Sequence, residues 1–206
     1  MKYIVVLGDG MADYPVKELN DKTPLQYANT PTIDYMAKHG TQGLVKTVPE
    51  GMPVGSDTAN MAVLGYDPFV YYSGRSPFEA ASMGVQILDT DVTFRCNLVT
   101  VSEDQPYEEK TMIDHSSDEI TTEEAGILIK ELSEYLSTEA IKFYQGIRYR
   151  HLMIWANGPY SWKLTPPHDI LGKKVRDYMP KGFGSEIIEE MIKKSNKFLA
   201  GHDINK

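Results

Sequence analysis

The spacing of apolar residues changes character near residue 90. Before that point the apolar positions come in unbroken runs. "KYIVVLG" holds Ile4, Val5, Val6 and Leu7 in succession, as in a strand covered on both faces, and "GLVKTV" predicts a second strand. Between them "TPTIDYMAKHG" predicts a short helix, with Thr30 as N-cap, Pro31 at its first position and Gly40 past its end. A Pro/Gly-rich approach then leads into "PVGSDTANMAVLGYDP", a helix-compatible run closed by a Gly-Tyr-Asp-Pro turn. Strand, loop and helix in this order predict an open α/β layer. In such a layer, ligands collect at the loops leaving the carboxyl ends of the strands.

Beyond residue 90 the pattern becomes amphipathic. "DVTFRCNLVTV" alternates, with Val92, Phe94, Cys96 and Leu98 on one face and Thr93, Arg95, Asn97 and Val99 on the other. "ITTEEAGILIKELSEYL" predicts a helix with a Thr121–Glu124 capping box and a stripe of Ala125, Leu128, Leu132 and Tyr135. "AIKFYQGIRYRHLMIWA" predicts two strands about a turn at Gly146. "SEIIEEMIKKSNKFL" predicts a last helix, apolar at Ile187, Ile188, Met191, Ile192 and Phe198, with acidic residues early and lysines late to match its macrodipole. This half reads as a separate α+β unit.

Composition narrows the function. Of 206 residues, 41% are hydrophobic, enough for a substantial core. The net charge of −8, with no basic block, argues against nucleic-acid binding. No apolar run is long enough for a signal peptide or a membrane span. One cysteine, Cys96, rules out an intrachain disulfide framework and fits a reducing cytoplasm.

The candidate chemistry sits in two loops. In "GDGMAD", Asp9 is either a turn residue between Gly8 and Gly10 or a metal-ligating carboxylate at a strand end. A dinucleotide fingerprint is excluded, because Asp13 stands where the third glycine belongs. Ser56, between Gly55 and Asp57, is either an ordinary helix cap or a nucleophile at an anion-favouring helix start. It is not a G-x-S-x-G elbow, because Val54 and Thr58 occupy the glycine positions. A divalent cation shared by Asp9 and Ser56 would ease loss of the hydroxyl proton. Arg75, Arg95 and Arg150 are candidates to grip a carboxylate or phosphate bidentately, with Asn97 beside Arg95; Arg148 is a weaker one. His151 and His168 are either further site residues or, respectively, a hydrogen-bonded strand histidine and part of a rigid "PPHD" loop.

"GDGMAD", "GMPVGSDTANMAVLGYDP", "SGRSPFEAASMGV", "FRCNLVT", "STEAIKFYQGIRYRHLMIW" and "PPHDILGK", in this order, resemble the archaeal-type cofactor-independent phosphoglycerate mutases of the alkaline-phosphatase-like superfamily. The resemblance covers nearly the whole chain. It implies a Rossmann-type sheet lobe, begun by residues 1–86, with an inserted α+β substrate domain at 87–200 and a tail at 201–206. It implies that Ser56 carries the phosphoryl group between the 3- and 2-positions of glycerate. It further implies that Asp9 and Ser56 bind one of two divalent ions (manganese, zinc or magnesium), with no 2,3-bisphosphoglycerate required. Arg75, Arg95, Asn97, Arg150, His151 and His168 remain, from their chemistry and positions, the candidate contacts of such a small phosphorylated acid. Family chains run about twice this length and carry their other metal ligands in the second half, which marks this chain as an N-terminal fragment, inactive alone. Two alternatives stand beside this: another metal-dependent phosphohydrolase or phosphotransferase on the same framework, and a noncatalytic fragment. Asp118 and Glu119 in "IDHSSDEI" depart from the small residue and histidine expected of relatives, and Val54 from a proline.

Overall fold

The computed structural model describes residues 1–8 and 10–205. The chain divides into two compact units, Met1–Gly65 and Tyr66–Lys206.

In the first unit, a Val16–Lys22 bridge closes a turn around a 3-10 segment, Lys17–Leu19. Helix α1 (Pro24–Tyr27) starts from a capping box in which the Thr23 hydroxyl accepts from Gln26 N–H and Gln26 Oε1 accepts from Thr23 N–H. Helix α2 (Pro31–His39) has the expected Pro31 start and Gly40 stop, but the Thr30 hydroxyl donates to Asp34 instead of capping the backbone. Helix α3 (Ser56–Val63) follows.

The two strands expected here do not form in this chain. Residues 3–7 and 43–47 carry no ladder, and their apolar side chains face solvent, Ile4 at 87% and Leu44 at 104% exposure. The physical reason is that a doubly apolar strand is stable only between neighbours and under cover on both faces. Among the described residues, the first unit supplies only isolated bridging and no other strand.

The second unit holds all the strands found among the described residues. Helices α4 (Pro68–Tyr71) and α5 (Ser76–Ser82) precede β1 (Asp91–Asn97), β2 (Thr100–Val101) and β3 (Met112–Asp114). Then come α6 (Thr122–Leu136), β4 (Ile141–Ile147), β5 (Arg150–Ala156), β6 (Trp162–Lys163), β7 (Lys181–Gly182) and α7 (Ser185–Ala200). The main sheet is antiparallel in the order β1-β5-β4; β2–β3 and β6–β7 are separate antiparallel pairs. Phe94, Met153 and Ile141 bury one face of the main sheet against Ile188 of α7, with Val92 and Cys96 partly buried beside them. Leu98, just past β1, joins Ala125, Leu128, Ile129, Leu132 and Leu136 of α6. Leu152 and Ile154 bury the other face against Ala80 of α5. The alternation read along β1 therefore sorts its side chains as expected.

The capping box of α6 forms as predicted, with the Thr121 hydroxyl accepting from Glu124 N–H at 3.2 Å. Three details differ. Tyr135 is 53% exposed and stacks on Phe198 at 5.2 Å, and the buried stripe runs instead through Ile129 and Leu136, because the α6 face also covers Leu98. In α7, Ile187 is exposed while Ile188 is buried. The β4–β5 turn falls at Arg148–Tyr149, with Arg148 left-handed at φ 53°, and not at Gly146. Gly146 lies inside β4 where the register shifts, and a Cβ there would fall 2.1 Å from the Arg150 carbonyl oxygen. The glycine marks a bulge pressed against β5.

Candidate functional site

In the first unit, Ser56 is the first residue of α3, after Gly55, whose extended backbone at φ −171° occupies the cap position. The serine is exposed, and no side-chain cap bond forms at this end. The hydroxyl is thus presented at the helix start and is not engaged in capping. A Cβ on Gly55 would fall 2.4 Å from Asp57 Oδ1, so the glycine makes room for the carboxylate beside the serine. Thr58 and Met61 are buried and anchor the helix. Its first-turn N–H groups have no intrahelical carbonyl to meet, which favours an anion beside Ser56. Asp9 lies outside the described residues. Among the described residues, no three or more His, Cys, Asp or Glu side chains converge to hold a metal ion.

In the second unit, Arg75 is the residue before α5. Arg95 points to the α5 face of the sheet, where its Nε lies 2.8 Å from Glu79 Oε1. On the same face Thr93 Oγ1 donates to Ser76 Oγ, which donates to the Thr93 carbonyl, both at 2.8 Å. Arg95 is therefore neither in open solvent nor free: an ion pair holds it in place. Asn97, two residues on, has a buried Oδ1 without a hydrogen-bond partner among the described residues. β1 residues from Phe94 to Asn97 also border a cavity of about 1170 Å³, lined mainly by apolar side chains of α6 and α7 such as Leu128, Leu132, Ile188 and Met191. Asn97 pairs across the sheet with Arg150, so those two side chains share a face. Arg150 is exposed, its guanidinium 5.4 Å from the Tyr149 ring. Arg148 does not share a face with it: from its turn position it pairs with Glu119 at 2.7 Å.

His151 stands apart from these groups. It is 1% exposed and sits opposite Cys96, on the face away from Arg95 and Asn97. Its Nδ1 accepts from Gly146 N–H at 3.1 Å, while Nε2 is buried without a partner. Burial pushes its pKa down to about 4, because the charged ring would be desolvated. Burial likewise pushes the Cys96 thiol up to about 11, which makes it a poor nucleophile. His168, in the 3-10 segment Pro167–Ile170, is half exposed, with Nε2 3.5 Å from Asp169 Oδ1. Its ring lies 6.2 Å from that of His115, which in turn lies 5.7 Å from Tyr149. His115 and Tyr149 escaped the sequence reading. Their only signal was lodging one residue after β3 and one before β5, at loop positions carrying no periodicity.

The model of the family described as 2,3-bisphosphoglycerate-independent phosphoglycerate mutase matches residues 37–205. The chain is 52% identical over all 206 residues to a 2,3-bisphosphoglycerate-independent phosphoglycerate mutase of Methanosarcina barkeri, and spans about half the length of that relative. Among solved structures, the PH0037 protein from Pyrococcus horikoshii matches with TM-score 0.67 and 31% identity, over 96% of this chain and 44% of that one. A cofactor-independent phosphoglycerate mutase from Thermoplasma acidophilum matches with TM-score 0.52 and 26% identity, over 95% and 52% respectively. The chain belongs to the 2,3-bisphosphoglycerate-independent phosphoglycerate mutase family.

Proposed function

We propose that this chain supplies the nucleophile and part of the substrate cradle of a phosphoglycerate mutase that needs no 2,3-bisphosphoglycerate. The observation that carries the reading is Ser56, exposed as the first residue of α3 in a chain of this family. Ser56 Oγ attacks the phosphorus of 3-phosphoglycerate; the Oγ–P bond forms and the bond from phosphorus to the C3 oxygen breaks. The serine proton and the phosphoryl group exchange places, leaving glycerate and phosphoserine. The 2-hydroxyl of the glycerate then reverses the exchange. Transfer of this kind asks the protein mainly for positioning and charge stabilisation, which the α3 N-terminus contributes at the phosphoserine. Arg75, Arg95, Asn97, Arg150 and His168 are assigned to the substrate's two anionic groups. We reassign His151 from substrate contact to support of the β4 bulge, since its buried ring cannot reach a solvated ligand.

In this reading, residues 1–86 begin an alkaline-phosphatase-like lobe and residues 87–200 form the inserted substrate domain. Two divalent ions, manganese, zinc or magnesium, belong to the family resemblance. The described residues do not assemble a ligand set for them. Among the described residues no helix is long and apolar enough to cross a membrane, and we infer a cytoplasmic enzyme acting on small phosphorylated acids.

The test uses this chain completed by the second half of its M. barkeri relative. Acid quenching during turnover of 3-phosphoglycerate should trap phosphate on Ser56, read by peptide mass spectrometry. Ser56→Ala should lower kcat roughly a thousandfold or more. Near-normal turnover by a folded alanine variant would overturn the assignment.

A further inference from the structure

We propose that the cavity of the second unit binds a long-chain carboxylic acid, its chain lying along α6 and α7 and its carboxylate meeting Lys110. This site does not depend on the mutase reading. The unit buries its apolar residues in separate clusters. Leu98 packs with Leu128 and Leu132 of α6, Phe94 and Met153 with Ile188 of α7, and Met112 with Ile170 and Val175. Residues of all three clusters border the same cavity of about 1170 Å³. Protein interiors otherwise pack as densely as organic crystals, with few voids larger than a water molecule. A space of this size between apolar walls is room for a ligand, since roughly 300–1,000 Å³ already takes a drug-sized one.

The walls narrow the ligand class. Leu128, Leu132, Leu136, Phe143, Ile188 and Met191 offer no side-chain donor to a sugar or a nucleotide. Apolar walls of this kind exclude water and accept apolar groups, which a flexible hydrocarbon chain supplies. The acidic residues that border the cavity, Glu103, Asp118 and Glu124, are all exposed and so belong to its rim.

Lys110 supplies the polar end. It borders the cavity and is only 5% exposed, a rare place for a lysine. Its Nζ donates to the Ser102 carbonyl at 2.7 Å, and among the described residues no carboxylate forms an ion pair with it. An ammonium has three donors, and a buried one is costly unless paired. Asp104 feels the charge of Lys110, but its carboxylate is engaged by the Ser102 hydroxyl at 2.8 Å and by Lys174 at 3.5 Å. The segment leading to Lys110 is tied down as well: Glu108 pairs with Lys193 of α7, and Glu109 with Arg176 at 2.6 Å. A buried, fixed ammonium beside an apolar cavity selects an acid, because an alcohol or hydrocarbon of equal length would fill the walls and leave the charge unpaired.

The experiment titrates oleate, kept below its micelle-forming concentration, into the 206-residue chain labelled at its Ile, Leu and Met methyl groups. The signals of Leu128, Leu132, Ile188, Met112 and Met191 should shift together with one Kd, while those of the exposed Ile127 and Ile147 stay still. Oleyl alcohol should bind about tenfold more weakly, the worth of one charge-assisted contact. Lys110→Met should weaken oleate by the same factor and leave oleyl alcohol unchanged, with unaltered amide signals in β1, β4 and β5 certifying its fold. If this variant does not fold, the comparison of acid with alcohol in the native chain decides alone. Silence of the cavity methyls, shifts confined to Ile127 and Ile147, or oleyl alcohol binding as tightly as oleate would each overturn the site. So would undiminished oleate affinity in a folded Lys110→Met chain.

Discussion

The two units of this chain solve the burial problem in opposite ways. The second carries amphipathic strands and helices, each with one face to bury, and supplies its own cover: Phe94 and Met153 under α7, Leu152 and Ile154 under α5. The first carries runs apolar on every side, and Tyr3, Ile4, Val6 and Leu44 remain in solvent. The lesson concerns what a pattern presupposes. Alternation with a period of 2 or 3.6 asks for one neighbour, which a local unit provides. A continuous apolar run asks for neighbours on every side, which must come from elsewhere in a larger sheet.

Amide exchange puts the largest number on this contrast. In the 206-residue chain, amides at residues 3–7 and 43–47 should exchange close to the unprotected rate. Those paired between β1 and β5 should be slowed by roughly three orders of magnitude or more, the span between open loops and a cooperative core. Adding the second half of the M. barkeri relative as a separate polypeptide should protect the first set and leave the second unchanged. Equal protection in both units of the chain alone would break the comparison.

Gly146→Ala should strike the second unit alone. The new methyl would meet the Arg150 carbonyl oxygen at 2.1 Å, a backbone atom that moves only if the bulge opens. A loss of about 3 kcal/mol in unfolding free energy is expected, the upper range for overpacking. Denaturant unfolding followed by tryptophan fluorescence reports it, since Trp155 and Trp162 both lie in this unit. A loss below about 1 kcal/mol would mean that the bulge is soft.

Most of the second unit was legible in the sequence. The Thr121 box, the β1 alternation and the α7 charge gradient are local statements that hold under any tertiary surroundings. What escaped was set by contacts between distant segments. Gly146 read as a turn because glycine favours turns, yet its role is to admit the Arg150 carbonyl. His151 read either as a site residue or as a hydrogen-bonded strand histidine, and only the fold shows it accepting a bulge N–H from within the core. Ser56 was legible as a helix start, whereas the meeting of His115 with His168 rests on the β3 turn and the anchoring of Ile170.

The same histidine gives the second unit an acid limit. His151 titrates near 6.5 when unfolded and is pushed down to about 4 when folded, so the fold favours its neutral form. Its contribution is complete above about pH 6.5 and is lost as pH falls toward about 4. The loss is on the order of 3 kcal/mol. Unfolding free energies measured across that window should fall more steeply for the native chain than for His151→Asn, which keeps an acceptor near the Nδ1 position without a titrating ring. Parallel slopes would show that the bulge bond does not depend on a neutral imidazole.

The smallest effect separates the two units at the level of one hydroxyl. Thr121 and Thr30 both precede helices and look alike in sequence. Thr121 accepts from Glu124 N–H, and Glu124 Oε2 accepts in return from the Thr121 N–H and hydroxyl. Thr30 makes no backbone cap; its hydroxyl goes to Asp34 Oδ1 at 3.1 Å, and all of that lies at the surface. Removing Thr121 leaves a first-turn N–H without its partner at the start of the helix that buries Leu128 and Leu132, whereas removing Thr30 strips only an exposed side-chain contact. Thr121→Ala should therefore destabilise the second unit by about 1 kcal/mol, and Thr30→Ala should cost α2 no more than a few tenths. Paired thermal melts and helical circular dichroism of the two variants measure the difference. Equal losses would mean that Thr30 recovers its capping role in solution, and that this part of the contrast between the units lies in tertiary cover alone.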